Sequence, residues 1–317
     1  MNNFSISDSE YNELIKLRAR KKHYHFMKYC WIYKNKPMLT GEHTIAICDK
    51  IDYAFERFRN GQSTFLMILV CFRQGKSEIT SRFAVPHFLA EFPENEVLLC
   101  SHNDEMTGKF SRYSQLVINS AKYKDLYPDI TLDKDRKAVE EYMLSNKIGK
   151  AQYISLKSGT AGIGGDFIVV DDYCGKREDA ESKLKRNKVI DAITNDVLTR
   201  RHDPCIFLMT VTPWHVDDVV GEFKKRMVED KTFPQFEVLE FPAFSDKYKT
   251  GILFPEKYSM EWYLGQKSTL GDYAYQSLMQ VNPKKRGGKF LRVDKITKYK
   301  NITDVVDMPG IWVRGWD

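Results

Sequence analysis

The sequence of 317 residues predicts an α/β protein with a mostly parallel central sheet that helices cover on both faces. Three observations support this prediction. Several segments of strand length are apolar almost throughout, which is typical of strands buried on both faces of a parallel sheet. Segments with the periodicity of amphipathic helices lie between them, so the chain has a βαβ rhythm. The composition, with 42% hydrophobic and 29% charged residues, is ordinary for a globular domain.

The first sixty residues predict two helices. Residues 8–22 follow the capping sequence Ser-Asp-Ser-Glu and end in a basic run. Residues 41–61 show an amphipathic pattern that ends at Gly61. The aromatic-rich segment 24–33 lies between these helices and is typical of a segment that packs onto a core. A contact with a nucleotide base, together with residues 40–43, is the alternative interpretation.

From residue 63 onward, apolar strands and helical patterns alternate. A strand is predicted where a short apolar run is bounded by polar or turn residues, and a helix where apolar residues recur every three or four positions. The helix after the second strand has Ser101 or Asn103 as its cap. The predicted order is strand 63–72, helix 75–93, strand 96–101, helix 103–123, hairpin 140–159, strand 166–173, charged helix 177–201, strand 205–212, helix 216–230 and strand 235–243.

Composition excludes several classes of protein. No apolar run approaches the ~20 residues that span a bilayer, and the N-terminal residues lack the apolar core of a signal peptide. We therefore expect a cytoplasmic protein without a membrane contact. The six cysteines form no CxxC pair and indicate reduced core residues. The net charge of +6 weakly favours a polyanionic partner.

Gly75-Lys76-Ser77 joins the first predicted strand to the helix that follows it. A phosphate-binding loop needs backbone N–H groups at a helix N-terminus, a Lys for the β- and γ-phosphates, and a Ser or Thr hydroxyl for Mg²⁺. Lys76 and Ser77 occupy the Lys and Ser/Thr positions of this pattern, but Val70 occupies the position of its usual first glycine. The tripeptide alone is also compatible with a surface turn.

Asp171 and Asp172 end a second apolar strand and strengthen the interpretation as a nucleotide site. In such a site, one carboxylate holds Mg²⁺ through water and its neighbour orients or deprotonates the attacking water. A helix-capping turn is the alternative for an Asp-Asp pair. Taken together, the two segments predict that Lys76 and Asp171 lie side by side at neighbouring strand tips and bind a triphosphate with its Mg²⁺.

Three further features surround this predicted site. Arg73 could reach a γ-phosphate, or it could pair with a carboxylate at the edge of the loop. The glycine-rich segment 158–166 could pass close to a ligand or a neighbouring subunit, or it could be a plain turn. Residues 210–218 follow the next strand, at the edge of the sheet where ligands bind. His215 lies there without a second metal ligand nearby, which favours a structural role.

In this order, the motifs resemble those of the large terminase subunit of tailed bacteriophages, the motor that packages DNA into the capsid. The resemblance extends over nearly the whole chain. The matching segments are the phosphate loop at 72–78, the next strand and helix at 101–112, the glycine loop with the Walker B strand at 158–182, the coupling motif at 210–223, and the end of the motor domain at 251–283.

The resemblance implies a P-loop ATPase fold of the additional-strand, RecA-like type, with ATP and Mg²⁺ as cofactors. Lys76 would bind the phosphates, Ser77 and Asp171 would bind Mg²⁺, and Arg73 would sense the γ-phosphate. Asp172 stands where family members place a catalytic Glu or Asp, with Glu178 as a substitute candidate. Coupling would involve Thr210 and Thr212, and the residues around ATP would be Phe72, Arg73, Gln74, Gly75, Lys76, Ser77 and Glu78.

Family members often carry an arginine in or near the glycine loop that acts on the ATP of the adjacent subunit. The central residue of this loop is Ile163 in the present sequence, which does not fit that role. The alternatives, which the sequence does not rank, are Arg112, Arg136, Arg200 and Arg201.

The resemblance also implies a domain organisation. An N-terminal helical and aromatic segment (1–45) would pack on an ATPase domain (46–283), followed by a basic, glycine-containing linker (284–310). The last residues, 311–317, resemble the first strand of an RNase H-like nuclease domain, with Asp317 as its first metal-binding carboxylate. We therefore expect ATPase activity and no nuclease activity from this chain.

The implied function is ATP-driven translocation of double-stranded DNA into a procapsid. The implied partners are DNA, the portal protein, the small terminase subunit and further copies of the chain in a working ring, with a monomer in isolation. The implied location is the cytoplasm of the infected bacterium, and neither secretion nor presence in the mature virion is expected. A helicase-like ATPase and a regulatory ATP-binding module without turnover are the alternatives.

Overall fold

The structure is a computed structural model that describes residues 7–33, 36–158 and 162–285. The chain divides into one compact unit, Met1–Lys284, and a second unit, Lys285–Asp317, of which only Lys285 is described. The predicted strand 311–317 with Asp317, and the predicted linker beyond Lys285, therefore lie outside the described residues.

The strands form one eight-stranded sheet. They are β1 (Thr64–Val70), β2 (Glu96–Ser101), β3 (Leu132–Lys137), β4 (Glu141–Leu144), β5 (Lys150–Ser155), β6 (Gly165–Asp171), β7 (Arg201–Val211) and β8 (Glu237–Phe241). Their order in space is β3-β4-β5-β2-β6-β7-β1-β8. The contacts β3–β4 and β4–β5 are antiparallel, and the remaining pairs are parallel.

The helices precede the strands or follow them. They are α1 (Asp8–Lys21), α2 (His23–Tyr29), α3 (Glu42–Arg59), α4 (Val85–Glu91), α5 (Asp104–Asn119), α6 (Ala121–Leu126), α7 (Arg177–Glu181), α8 (Lys183–Asp191), α9 (Val219–Glu229) and α10 (Met260–Leu278). A π-helical segment, Glu78–Ala84, leads into α4, and a second one, Ala192–Val197, follows α8.

The predicted fold class is confirmed by the sheet. The phosphate-loop strand β1 and the aspartate strand β6 are both paired with β7, which is the inserted strand of the additional-strand P-loop class. The prediction that Lys76 and Asp171 follow neighbouring strands was therefore wrong in one respect, because β7 separates the two strands. The carboxyl ends of the strands nevertheless lie at the same edge of the sheet, because Asp171 at the end of β6 is in register with Thr210 near the end of β7.

The core lies around the central strands. All residues from Leu66 to Val70 of β1, and all from Val97 to Ser101 of β2, are buried. Because successive side chains in a strand point to opposite faces, both faces of the sheet are covered. Five of the six cysteines are buried and Cys174 is half-buried, as expected of reduced core residues.

Capping side chains explain where the helices differ from their predicted bounds. Ser120 accepts a hydrogen bond from the backbone N–H of Tyr123 and begins α6, so the predicted helix 103–123 is two helices. Ser182 accepts from Lys185 and begins α8, which divides the predicted helix 177–201. Asn103, and not Ser101, is the cap of α5. A Ser that binds the backbone favours a new helix start over a continuous helix.

The N-terminal helices pack on the sheet domain. Ser7 and Glu10 form the predicted capping box of α1. In α2, His23, Phe26 and Met27 are buried, and the Phe26 ring stacks on His87 of α4 with a centroid distance of 4.3 Å. Within the described part of the chain, no helix has the length and apolar character to cross a membrane.

Candidate active site

The loop after β1 makes a tight turn. Arg73 has a φ of 62° and Gly75 a φ of 85°, both in the left-handed region, where only glycine is free of strain. Helical backbone follows Gly75, because Ser77 is in the right-handed helical conformation and the N–H groups of Glu78 and Ile79 donate to the Gly75 carbonyl. The carbonyl of Arg73 accepts hydrogen bonds from Lys257 Nζ at 2.7 Å and from Tyr258 Oη at 3.5 Å. Two side chains from outside the loop therefore help to hold its strained residue.

Gln74 fixes the loop from inside. It is 1% exposed, and its side chain donates to the carbonyl of Phe72 and accepts from Tyr263 Oη at 2.9 Å. The Gln74 carbonyl accepts from His43 Nε2 at 2.8 Å. Val70 belongs to the strand itself, and its carbonyl accepts from Thr212 Oγ1 at 2.8 Å. A buried glutamine therefore organises a loop that lacks the usual first glycine.

Ser77 and Asp171, the two residues that the resemblance assigns to Mg²⁺, lie together. Ser77 Oγ donates to Asp171 Oδ1 at 3.0 Å, and Ser81 Oγ donates to the other carboxylate oxygen, Oδ2. Burial raises the pKa of the fully buried Asp171 to about 6, and the nearby Asp172 carboxylate adds to the rise. Ser81 was not predicted, although its position four residues after Ser77 places both hydroxyls on one face of a helix.

Lys76 and Asp172 form an ion pair. Lys76 Nζ lies 2.7 Å from Asp172 Oδ2, and Lys76 is 8% exposed. Burial alone would lower the pKa of Lys76, but the charges of Asp172 and Asp171 outweigh burial, and the pKa of Lys76 is raised. The ammonium is therefore charged, and it is held between the loop and the aspartate strand.

The Asp172 backbone is anchored on both sides. Its φ of 47° is left-handed, and its N–H donates to the carbonyl of Thr210 at 3.2 Å. Its own carbonyl accepts from Ser101 Oγ, from the His102 N–H and from His102 Nδ1 at 3.3, 3.1 and 3.2 Å. The next helix, α7, has Lys176 at its N-cap, so the capping-turn alternative for the Asp-Asp pair was wrong.

The segment after β7 touches both sides of the site. The Thr212 hydroxyl donates to Val70 at the phosphate loop, and the Thr212 N–H donates to Asp172 Oδ1 at 3.4 Å. Thr210 is fully buried, and its hydroxyl has no hydrogen-bond partner among the described residues. Asp218 accepts from the N–H groups of Trp214 and His215 and caps α9. His215 Nδ1 accepts from the N–H of Asp217, which agrees with a structural role.

Three predicted residues lie at the edge of the site. The Arg73 side chain is exposed and makes no ion pair with another described residue, so the predicted alternative of a loop-edge carboxylate is not seen. Glu78 accepts from Arg82 at 2.6 Å and from Tyr33 Oη at 2.8 Å. The side chain of Glu178 is 84% exposed and lies 3.5 Å from Lys185 Nζ, whereas Asp172 lies at the phosphate loop.

A cavity of about 510 Å³, which we call the base cavity, opens beside the phosphate loop. Gln74, Gly75 and Glu78 line one side of it. Trp31 and Tyr33 of the aromatic N-terminal segment line another side. An apolar and aromatic wall next to a phosphate-binding turn has the size and chemistry of a small-molecule pocket. His43 does not line this cavity, because its ring is bonded to Gln74.

The arginines considered as trans-acting candidates differ in their surroundings. Arg136 donates to Met143 Sδ, and Arg201 donates to the carbonyl of Leu198. Residues 159–161 of the glycine-rich segment lie outside the described chain, and Ile163 packs against the core.

The oxygens at the loop suit a magnesium ion. The Ser77 hydroxyl and the Asp171 carboxylate are hard oxygen donors, which Mg²⁺ prefers in combination with waters and substrate phosphates. Among the described residues, no three His, Cys, Asp or Glu side chains form a group that could hold a metal by themselves. The donor set therefore fits an ion that arrives with a phosphorylated ligand.

The fold and the site together have the architecture of P-loop proteins of the additional-strand class. No family model matches the sequence, and no curated protein matches it. The solved structures similar to this chain include three phage large terminases. With the HK97 large terminase, the identity is 12% and the TM-score is 0.45, over 73% of this chain and 45% of that chain.

The other two structures come from thermophilic systems. A mutant of the Thermus phage P74-26 large terminase ATPase domain is 13% identical with a TM-score of 0.46, over 80% of this chain and 96% of that chain. The large terminase of another thermophilic bacteriophage is 11% identical with a TM-score of 0.45, over 73% of this chain and 52% of that chain. The chain thus spans about half the length of the first and the third of these proteins.

Proposed function

We propose that this chain is the ATPase motor domain of a phage large terminase, which hydrolyses ATP to translocate double-stranded DNA into a procapsid. The observation that supports this proposal best is the meeting of two residue pairs at one edge of the sheet. Ser77 bonds to Asp171, and Lys76 bonds to Asp172, across the inserted strand β7. These pairs bring together the cation, hydroxyl and carboxylates that phosphoryl transfer from a nucleotide requires.

The loop would hold the phosphates of ATP. The backbone N–H groups at the start of the helix that follows Gly75, and the charged Lys76, would contact the β- and γ-phosphates. Ser77 and Asp171 would hold Mg²⁺, which supplies neutralisation of phosphate charge when it is bound. Arg73, exposed at the loop, would reach the γ-phosphate. The base cavity, with Trp31 and Tyr33, would accept the adenine ring.

Asp172 would orient the attacking water and accept its proton. In the structure, Lys76 neutralises this carboxylate at 2.7 Å. An incoming γ-phosphate competes for the same ammonium, and once Lys76 turns to the phosphate, Asp172 is free to bind a water. The proposal therefore makes the Lys76–Asp172 pair a resting arrangement that nucleotide binding opens.

Coupling to DNA would start at Thr212. Its hydroxyl donates to the Val70 carbonyl of β1 and its N–H donates to Asp172. A movement of β1 or of Asp172 would therefore displace the segment that leads to α9. Lys and Arg side chains would contact DNA phosphates without reading bases.

The proposed partners, location and domain organisation are those that the resemblance to phage large terminases implies. The chain would work as a homo-oligomeric ring with the portal protein and the small terminase subunit, in the cytoplasm of an infected bacterium. Residues 1–45 would be a segment that packs on the motor, residues 46–283 the motor, and residues 284–310 a linker that leads to the nuclease strand 311–317.

The substitution Lys76→Ala tests the proposal. We expect phosphate release from ATP to fall by roughly 10²-fold or more, because the charge that stabilises the transferred group is lost. Lys109→Ala is the matched control, because Lys109 is exposed and, among the described residues, forms its ion pair with Glu105 on its own helix. Full activity of the Lys76→Ala variant would contradict the proposal.

The addition of double-stranded DNA separates the three candidate functions. Hydrolysis that DNA stimulates without strand separation supports the motor. Strand unwinding supports a helicase-like ATPase, and nucleotide binding without turnover supports a regulatory module.

A further inference from the structure

A second cavity lies on the other side of the Asp172 turn. It has a volume of about 470 Å³ and shares no lining residue with the base cavity. We call it the His102 cavity, because His102 at the end of β2 forms part of its wall together with Tyr173 and Gly175 after β6. Its volume falls within the ~300–1,000 Å³ range of small-molecule pockets.

The wall of the His102 cavity is largely apolar and includes one large aromatic ring. Leu156, Val189 and Val219 supply aliphatic surface, and Trp214 supplies the ring. Tyr173 also lines the cavity, but its hydroxyl is already bonded to Asp218. A flat apolar ligand could therefore pack against Trp214 without leaving the Tyr173 hydroxyl unpaired.

The charges at the rim of this cavity are positive on balance. Lys157 and Lys188 line it, and neither ammonium makes an ion pair or hydrogen bond with another described residue. Arg186 donates one N–H to the carbonyl of Ala180, while its Nε is buried and has no hydrogen-bond partner in the part of the chain that the structure describes. The two acidic residues of the wall are already compensated. Asp179 lies 2.6 Å from Lys185 Nζ, and Asp218 accepts from backbone N–H groups.

His102 connects this cavity to the candidate active site. Its ring Nδ1 lies 3.2 Å from the Asp172 carbonyl oxygen. Because a carbonyl can only accept, Nδ1 carries the hydrogen. Gly175 packs against the same ring, since a Cβ at Gly175 would lie 2.7 Å from His102 Nε2. A ligand in the cavity would therefore contact a side chain that holds the Asp172 turn.

We infer that the His102 cavity is a second ligand site, for a planar aromatic or heteroaromatic molecule that carries an anionic group. The ring packs on Trp214 and the aliphatic wall, and the anion pairs with Arg186, Lys157 and Lys188. Occupancy restrains His102 and with it the Asp172 turn, so the ligand alters the rate of turnover. The binding part of this inference is independent of the proposed function, whereas the effect on turnover rests on it.

Binding is tested with 1-anilinonaphthalene-8-sulfonate, a fluorescent aromatic anion, in the presence of saturating Mg²⁺ and ADP. The part of the saturable signal that changes with substitutions of lining residues reports the His102 cavity, whether or not the nucleotide occupies the base cavity. We expect Lys188→Glu to weaken this binding about tenfold, because a cation becomes an anion at the rim. Val189→Trp fills the cavity and is expected to abolish the signal.

Lys183→Glu is the matched control, because Lys183 is exposed on the same helix and does not line the cavity. Equal weakening by the Lys183 and Lys188 substitutions would overturn the inference, because the probe would then respond to the charge of the helix. Unchanged binding to the Val189→Trp variant would also overturn it. A Lys157→Glu variant repeats the test on another element if Val189→Trp does not fold.

The effect on turnover is tested by ATP hydrolysis with and without the saturating probe. We expect the rate to change about twofold or more in the unmodified chain and to stay constant in the Val189→Trp variant, whose filled cavity does not bind the probe. Binding without any change in rate would overturn the coupling to Asp172. If the unmodified chain hydrolyses no ATP, the proposed function fails, while the binding result still decides whether the site exists.

Discussion

At the scale of single residues, the side chains that the sequence could identify are those with a fixed place relative to a strand end. Asp171 ends the apolar strand β6 and Asp172 follows it, while Lys76 and Ser77 follow the apolar strand β1 after the loop 71–75. Parallel strands bring such positions to one edge of the sheet. Gln74 was predicted only as a member of the loop. Its organising role depends on Tyr263, which is far away in the sequence. Long-range partners of this kind leave no local pattern.

The ion pair between Lys76 and Asp172 predicts that one substitution strengthens ADP binding and slows ATP turnover. In an Asp172→Asn variant, Lys76 loses its charged partner and is free for a phosphate, so ADP should bind more tightly, by about 1 kcal/mol. Turnover should fall by about 10²–10⁴-fold, because the amide cannot accept a proton from water. Calorimetric titration and phosphate release measure the two effects.

Asp171→Asn is the matched control for this prediction. It removes the carboxylate that Ser77 and Ser81 contact, and it should weaken both Mg²⁺-dependent binding and turnover. An Asp172→Asn variant that turns over ATP at the normal rate would remove Asp172 from the proposed chemistry.

At the scale of elements, the central strands were predictable and the helix boundaries were not. The strands are apolar on both faces, which is a strong signal in a single sequence. Helices 103–123 and 177–201 are each broken by a serine that turns its hydroxyl to the backbone. β3 was missed because its sequence, Leu-Asp-Lys-Asp-Arg-Lys, is mostly exposed and has no apolar alternation. Its pairing with β4 is a tertiary contact.

The start of α9 depends on one buried carboxylate. Asp218 is 2% exposed and accepts from the N–H groups of Val220 and Gly221, and also from Trp214 and His215. Asp218→Asn replaces one acceptor oxygen by a donor, so at least one buried N–H loses its partner. We expect the free energy of unfolding to fall by about 2 kcal/mol, measured by urea denaturation.

The neighbouring Asp217 provides the control for this substitution. Its side chain is 65% exposed, so Asp217→Asn should change the free energy of unfolding by less than about 0.5 kcal/mol. Equal effects of the two substitutions would show that the cap does not stabilise the loop.

The contact between α2 and α4 leads to a prediction about pH. His23 and His87 are buried with their Nδ1 atoms 3.1 Å apart, and each Nε2 lies within 3.1 Å of a backbone carbonyl oxygen. Two neutral rings supply hydrogens for two of these three contacts. Burial lowers the pKa of His23 to about 4, and burial together with His23 lowers the pKa of His87 well below 6.5. The unfolded chain therefore binds more protons than the folded chain below about pH 6.5, and stability falls as the pH is lowered.

His87→Phe tests this pH dependence, because a phenyl ring keeps the stacking on Phe26 and cannot bind a proton. Between about pH 7 and about pH 5, the unmodified chain should lose about 2 kcal/mol more of its free energy of unfolding than the variant. Urea denaturation at both pH values measures the difference. Parallel pH dependence of the two proteins would show that His87 does not stay neutral in the folded state.

At the scale of the whole molecule, α10 connects the two halves of the candidate site. Near its start, Tyr263 bonds to Gln74 of the phosphate loop. Near its end, Ser277 accepts from Arg177, whose guanidinium also donates to the carbonyl of Trp214. The helix bends between these contacts at Gly271, which has a φ of 68°. The bend allows one element to contact both the loop after β1 and the segment after β7.

Two glycines of α10 test this arrangement with the same substitution and opposite expected signs. Gly271→Ala meets no steric clash, but it places a Cβ in the left-handed region and should lower the free energy of unfolding by about 1 kcal/mol. Gly265→Ala also meets open space and lies in regular helix, so it should raise the free energy of unfolding by about 0.5–1 kcal/mol.

The rate of ATP hydrolysis should also differ between the two variants. If the bend keeps both contacts of α10 in place, Gly271→Ala lowers ATP hydrolysis while Gly265→Ala leaves it unchanged. Denaturation and phosphate release on the same preparations measure both effects. A shift of stability in the same direction for both variants would mean that Gly271 is not held in the left-handed conformation. The link from the phosphate loop to Trp214 would then need a path other than the bend of α10.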